Sequence, residues 1–287
     1  MSSVKSRLTK QKVGFWAIGL ATFFILLVVL VVLFFIIGKG IPILSWEFLT
    51  QPPKRFMTKG GIFPAIVGTF LLGFGAMLFA LPIGVLTAVY LSEFAARTRL
   101  ADAIRTGTNT LAGLPSIVYG LFGFAFFCKF MNLGVSVLSG ALTLGVMSLP
   151  IIISTSEEAL RSVPNSFREA SLSLGASRWR TTIKVVLPNA ISGIVTGAIL
   201  SMGRAVGETA PIIFTAATFY TRKLPKSPLD EVMALPFHIY GLVTEGLYPE
   251  KQLPIAFGSA LVLLMIVLLL SSFGIYLRYK QRKRRKW

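Results

Sequence analysis

The sequence predicts an all-α integral membrane protein of about six transmembrane helices. Three observations carry this. The 287-residue chain is 54% hydrophobic and only 14% charged, where a soluble domain carries about 25% charged residues, and its mean hydropathy is +0.74. Six apolar runs approach the roughly 20 helical residues that cross a hydrocarbon core of about 30 Å. None of these runs alternates with period two, so helices rather than a closed barrel must satisfy the backbone in lipid.

The first predicted span is 14–37, behind the basic residues Lys5, Arg7, Lys10 and Lys12. Its apolar run is longer than the roughly 7–15 residues of a signal peptide and ends in GKGIP without a small-residue cleavage pattern, so it reads as a retained helix. A polar, proline-bearing outer loop, 38–60, leads to the second span, 62–91, which contains Gly68, Gly73, Gly75 and Pro82. The third and fourth spans, 108–128 and 133–155, form a tight hairpin around Lys129 to Asn132. The fifth span is 189–214. Its glycine pairs Gly193/Gly197 and Gly203/Gly207 suit close helix packing. A second outer loop, 215–252, holds LPFHIYGLVT, which predicts a short surface helix near the membrane. The sixth span is 253–277. No internal repeat or low-complexity linker divides the chain, so residues 1–287 read as one transmembrane domain.

Lysine and arginine orient the bundle. With the N-terminus inside, 19 of them fall on inner segments and 9 on outer ones, leaving only Arg204 within a span. This bias places both termini in the cytoplasm. The tail RYKQRKRRKW follows a span directly, so it reads as a topology signal and a partner for anionic lipid. The net charge of +18 is therefore no sign of nucleic-acid binding, which needs aromatic platforms or a folded module.

Catalytic signatures are missing. The chain has no G-x-x-x-x-G-K-[ST] phosphate loop, HExxH, CxxC or GxSxG, and no nucleophile–base constellation, so it reads as no enzyme and as needing no cofactor of its own. The one histidine, His238, has no carboxylate or thiol cluster at metal-ligand spacing and reads as a surface or packing residue, with no metal site. The one cysteine, Cys128, sits in FAFFCKF and reads as a buried structural thiol.

Two stretches do not fit a plain bundle. The inner loop 157–188, EEALRSVPNSFREASLSLGASRWRTTIKVVLP, predicts a short helix after Pro164, capped by Asn165 or Ser166, with Glu169 in its first turn. Gly175 can end that helix at positive φ, and Ser177 can cap the next one. The second stretch is GRAVGETAPIIF, 203–214. Arg204 and Glu208 are four residues apart and share a helix face, and each ion costs roughly 2.5–3.5 kcal/mol near a bilayer centre. Thr209 adds a hydroxyl, Gly207 leaves room, and Pro211 breaks or kinks the helix. Two readings stand here: an ion pair that fixes helix packing, or a polar station on a translocation path. An arginine fork suits phosphate-like anions, and Glu208 can accept from a protonated phosphate.

The inner loop resembles the signature of ABC-importer membrane subunits, through Glu169, Ala170, Ser171 (in place of the usual second alanine), Gly175, Val185, Leu187 and Pro188. The stretches ALPIGVLTAVYLSEF, LPSIVYGLFGF, SVPNSFREASLSLGAS, GETAPIIFTA and LPFHIY resemble the PstA-type permeases of phosphate ABC importers. The resemblance covers most of residues 60–277. It implies a type I ABC-importer permease fold with a cytoplasmic coupling helix, in a bacterial cytoplasmic (inner) membrane. It implies a heterodimer with a PstC-type second permease, two copies of a PstB-type ATPase that bind ATP and magnesium, and an extracytoplasmic PstS-type phosphate-binding protein. Residue by residue, it puts ATPase coupling on Pro164, Arg168, Glu169, Ala170, Ser171 and Gly175. Arg204, Glu208 and Thr209 would line the pathway, and Pro188, Gly207 and Pro211 would serve as hinges. The alternatives are a permease for another oxyanion such as molybdate or sulfate, an ATP-independent transporter or channel, and a membrane scaffold or sensor.

Overall fold

The computed structural model describes residues 2–95 and 98–284. Arg97 and residues 285–287 of the basic tail, both used to orient the chain, lie outside the described residues. The chain runs as α1 (Ser2–Gly40), α2 (Trp46–Thr50), a small antiparallel hairpin of β1 (Pro53–Lys54) and β2 (Lys59–Gly60), and α3 (Phe63–Val89), which continues as a π turn over Tyr90–Phe94. Next come α4 (Arg99–Ala112), α5 (Ser116–Gly123) with a π turn over Phe124–Phe130, and α6 (Val137–Arg161). The inner loop holds α7 (Asn165–Ser173) and α8 (Arg178–Thr181), joined by a π turn over Thr182–Val186 to α9 (Leu187–Gly207). The chain ends with α10 (Ala210–Thr215), α11 (Leu235–Thr244) and α12 (Pro249–Arg284). Among the described residues, five helices are long and apolar enough to cross a membrane, and the pair α4–α5 makes a sixth if it is one broken span.

Apolar length and composition predict where the spans lie but not where they break. The expected third span, 108–128, is two helices, α4 and α5, bent by 105°. Pro115 stops α4, because it has no N–H to give the Leu111 carbonyl and forces Leu114 out of helical geometry. It sits in extended geometry at φ −59°, ψ 142°. The expected fifth span, 189–214, starts earlier and ends earlier. The helical run extends from Arg178 to Gly207, and α10 is a separate piece, because Pro211 withholds the N–H that the Gly207 carbonyl would accept. Pro188 lies in the first turn of α9, directly after a π turn, so the chain passes it without a break.

The bundle core lies where α3, α6 and α9 meet. Leu72, Ala76 and Ala80 of α3 pack with Leu144, Met147 and Ile152 of α6 and with Ala205 of α9. Gly193 and Gly197 let α9 approach α6, because a Cβ at either would strike Ala159 or Thr155. Cys128 is buried and free. The short helix expected on the surface of the 215–252 loop forms as α11 but is buried. Its first N–H, at Leu235, donates to Thr69 Oγ1 of α3 at 2.8 Å, and Leu235, Pro236, Phe237, His238, Gly241 and Leu242 are all enclosed. An N-terminal Leu-Pro pair and a loop aromatic, Phe219, lying edge-on to Phe237 draw it inward. By contrast α1 leans along α12 and the turn after α1, and its apolar residues are exposed in the isolated chain.

Candidate translocation site and coupling loop

Arg204 occupies the last turn of α9, and Glu208 is the residue that ends it, at φ −77°, ψ 134°. The two side chains meet through Arg204 Nε and Glu208 Oε1 at 3.3 Å. A cation suits this position, because the free carbonyls of a helix C-terminus carry partial negative charge. Arg204 is 54% exposed and Glu208 19% in the isolated chain. A guanidinium has five N–H donors, and among the described residues only the one on Nε is engaged, leaving both Nη groups free. Nothing lies within 4 Å of where a Gly207 Cβ would stand, so this side of the helix end is open. Thr209 is half-buried at the start of α10, and Pro211 is buried in its first turn.

The second proline break lies beside this one. Gly120 of α5 sits against the Ala210 carbonyl and the Pro211 Cα, so α5 and α10, the pieces after each break, are packed together. The Leu111 carbonyl, left without its helical partner by Pro115, accepts from the Tyr119 hydroxyl at 2.6 Å. Tyr119 and Gly120 therefore belong to the site, and sequence reading assigned them no role. The usable signal was Pro115 followed four residues later by a tyrosine: the proline frees a carbonyl one turn back, and the phenol can reach it.

The coupling loop has the predicted parts with a changed cap, and because the helix begins at Asn165, Glu169 falls past its first turn. Pro164, not Asn165 or Ser166, stands at the N-cap of α7, and no side chain caps that end. Asn165 is already helical, and its Oδ1 accepts from Arg168 Nη1 at 3.4 Å. Gly175 has φ +80°, and the N–H groups of Gly175 and Ala176 return to the Leu172 and Ser171 carbonyls at 2.9 and 3.2 Å. Ser177 caps α8 by accepting from the Arg180 N–H. Ser171 bonds Thr181 across the turn, hydroxyl to hydroxyl, at 2.9 Å, a tie that an alanine at 171 cannot make. Glu169, Ala170 and Leu172 face outward, and Leu174 is 90% exposed. Arg168 turns the other way, into the bundle, where it meets Glu93.

Comparison with known proteins places this geometry. Residues 80–285 match the family described as the binding-protein-dependent transport system inner membrane component. A probable ABC transporter permease protein, YqgI of Bacillus subtilis (strain 168), is 38% identical over 256 residues, covering 85% of this chain and 87% of that one. The phosphate transport system permease protein PstA of Pasteurella multocida is 34% identical over 269 residues, covering 93% and 94%. Among solved structures, an inward-facing MetNI methionine ABC transporter aligns with a TM-score of 0.59 at 22% identity, over 77% of this chain and 94% of that chain. A bacterial ABC transporter for the acidic polysaccharide alginate aligns at 0.58 and 15% identity, over 90% and 94%. At those identities the structures establish a shared fold.

Proposed function

This chain belongs to the family of inner membrane components of binding-protein-dependent transport systems, and we propose that it imports inorganic phosphate as one half of an ATP-driven translocation path. Membership makes it a multi-pass inner-membrane transport subunit, not an enzyme, serving with an ATPase and a substrate-binding protein. The finer reading pairs it with a PstC-type permease above two PstB-type ATPase copies, under a PstS-type phosphate-binding protein outside, with both termini in the cytoplasm. ATP and magnesium stay on the ATPase, and this chain carries no cofactor.

One observation carries the reading. Arg204 stands at a proline-broken membrane span, with both Nη groups free and open space beside Gly207 among the described residues. Ions in a span face a bundle interior or a wet cavity, and a planar fork with spare donors fits two oxygens of a tetrahedral anion. Glu208 keeps one donor occupied and sets a negative charge beside the path, which prevents permanent capture and accepts from a protonated phosphate hydroxyl. Relatives named as phosphate permeases support the choice of anion. On the inner side, Glu169, Ala170, Leu172 and Leu174 form the exposed, partly apolar face offered to the ATPase, a short helix suited to another protein's groove. Motion of that face opens the path alternately to each side.

The test is uptake of labelled phosphate into vesicles carrying the co-purified complex. ATP-dependent accumulation that excess sulfate and molybdate leave intact is expected. Displacement by either anion would reassign the cargo, and uptake without ATP would reject the class.

A further inference from the structure

Arg168 spends every nitrogen of its guanidinium inside the chain. Nε donates to Glu93 Oε2 at 3.0 Å and Nη2 to Glu93 Oε1 at 2.8 Å, a two-pronged pair across 75 residues of sequence. Nη1 donates to the Val163 carbonyl at 2.7 Å and Nη2 to the Leu160 carbonyl at 2.9 Å. These two carbonyls lie at and just past the end of α6. Glu93 lies in the π turn that closes α3 and accepts a further bond from Ser92 Oγ at 3.0 Å. One side chain of α7 thus binds the inner ends of α3 and α6 together. The pair is shielded, with side chains 18% and 9% exposed, above an apolar cluster that includes Ala88, Val89, Leu160 and Val163. A cavity of about 380 Å³, lined in part by Ser92, Glu93, Arg168 and Arg178, opens beside it, so charge rather than packing bridges the gap there.

From Glu93, α3 runs about 20 residues, roughly 30 Å of helix at 1.5 Å per residue, to Gly73. There it touches the other end of the problem. A Cβ on Gly73 would press on Val206 Cγ2 at 2.6 Å with Met202 next to it, and Leu72 and Ala76 share a core cluster with Ala205. Met202, Ala205 and Val206 flank Arg204 in α9. We propose that the Glu93–Arg168 pair is a positioning joint that transmits displacement of α7 along α3 to the Arg204 site. It rests on the phosphate-import reading above. In this role Arg168 serves coupling from inside the subunit and does not contact the ATPase.

The joint predicts uncoupling rather than collapse. In proteoliposomes holding the full complex, Glu93→Gln removes the charge from the pair while keeping its shape. Phosphate accumulated per ATP hydrolysed falls by about tenfold or more, the order of a typical coupling free energy between two sites, while ATP hydrolysis continues. Arg168→Lys keeps the charge but loses the fork and gives an intermediate ratio. In a Glu93→Cys/Arg168→Cys double variant, a short bifunctional thiol reagent that spans the two positions restores the ratio, which it cannot do in either single variant. An unchanged ratio in Glu93→Gln, or uptake and hydrolysis falling in parallel in an assembled complex, overturns the joint. The wild-type arm is read separately: a wild-type complex that imports no phosphate on ATP overturns the reading beneath it.

Discussion

Two of the arginine–glutamate pairs of this chain, Arg168–Glu93 and Arg204–Glu208, solve opposite problems. Arg168 and Glu93 meet through two bonds at 2.8 and 3.0 Å, and the remaining donors go to the Leu160 and Val163 carbonyls and to Asn165 Oδ1. Arg204 and Glu208 meet through one contact at 3.3 Å between residues four apart, and most of the guanidinium is uncommitted. A saturated cation holds elements together. A cation with spare donors, set where lipid would make it expensive, suits the pathway role proposed for Arg204. The difference lies in the geometry of the partners rather than the residue types, which are the same.

Truncating the two arginines separates these roles most sharply. Arg204→Ala lowers phosphate uptake by about 100-fold, the scale of losing charge-assisted bonds to an anion, while the subunit still co-purifies with its ATPase. Its thermal stability changes by no more than about 0.5 kcal/mol, because an exposed single-contact pair contributes little. Arg168→Ala instead destabilises the subunit by about 3–5 kcal/mol, since it strands Glu93 and two carbonyls in a shielded place. Uptake assays paired with thermal melts of the purified complex read both. Normal uptake by Arg204→Ala would remove it from the path, and equal stability losses would erase the distinction.

His238 sharpens the comparison with a third treatment of a polar group. Its ring is 1% exposed, and neither nitrogen has a hydrogen-bond partner among the described residues. Burial alone drives its pKa down from 6.5 to about 4. A base held neutral when folded binds fewer protons than when unfolded, so its stabilising effect is complete above pH 6.5 and is lost as pH falls toward 4. The expected loss is about 3 kcal/mol between pH 7 and pH 4. Melts of wild type and His238→Phe across that window check it: the variant has the flatter profile, and parallel profiles would show that the ring escapes its apolar cage.

Much of this was legible in the residues, and the rest was hidden for identifiable reasons. Apolar length located the spans, because crossing lipid imposes length directly. Gly175 and Ser177 were legible because a positive φ and an N-cap are local demands met by local chemistry. The breaks were harder to read. Pro211 stands out beside two ions, whereas Pro115 lies in a run whose hydrophobicity continues on both sides. The site's second wall, Tyr119 and Gly120, depends on two breaks meeting in space. The partner of Arg168 is not legible, because Glu93 lies 75 residues away and no periodicity reports that separation. The burial of α11 likewise rests on Thr69, which lies on a helix far earlier in the chain.

The smallest expected effect isolates loop shape from charge. Gly175 stands at φ +80°, yet a Cβ there would meet nothing within 4 Å. Gly175→Ala therefore costs only the backbone penalty of a left-handed residue, about 1–2 kcal/mol. Asparagine tolerates that region better, so Gly175→Asn recovers much of the loss. The α7–α8 turn loosens, and the co-purified ATPase dissociates more readily in a dilution assay, by up to about tenfold at 1.4 kcal/mol. Because neither substitution touches Arg168 or Glu93, phosphate imported per ATP in the complexes that remain assembled stays at the wild-type value. A fall in that ratio would mean that the turn, and not the shielded ion pair, carries the stroke.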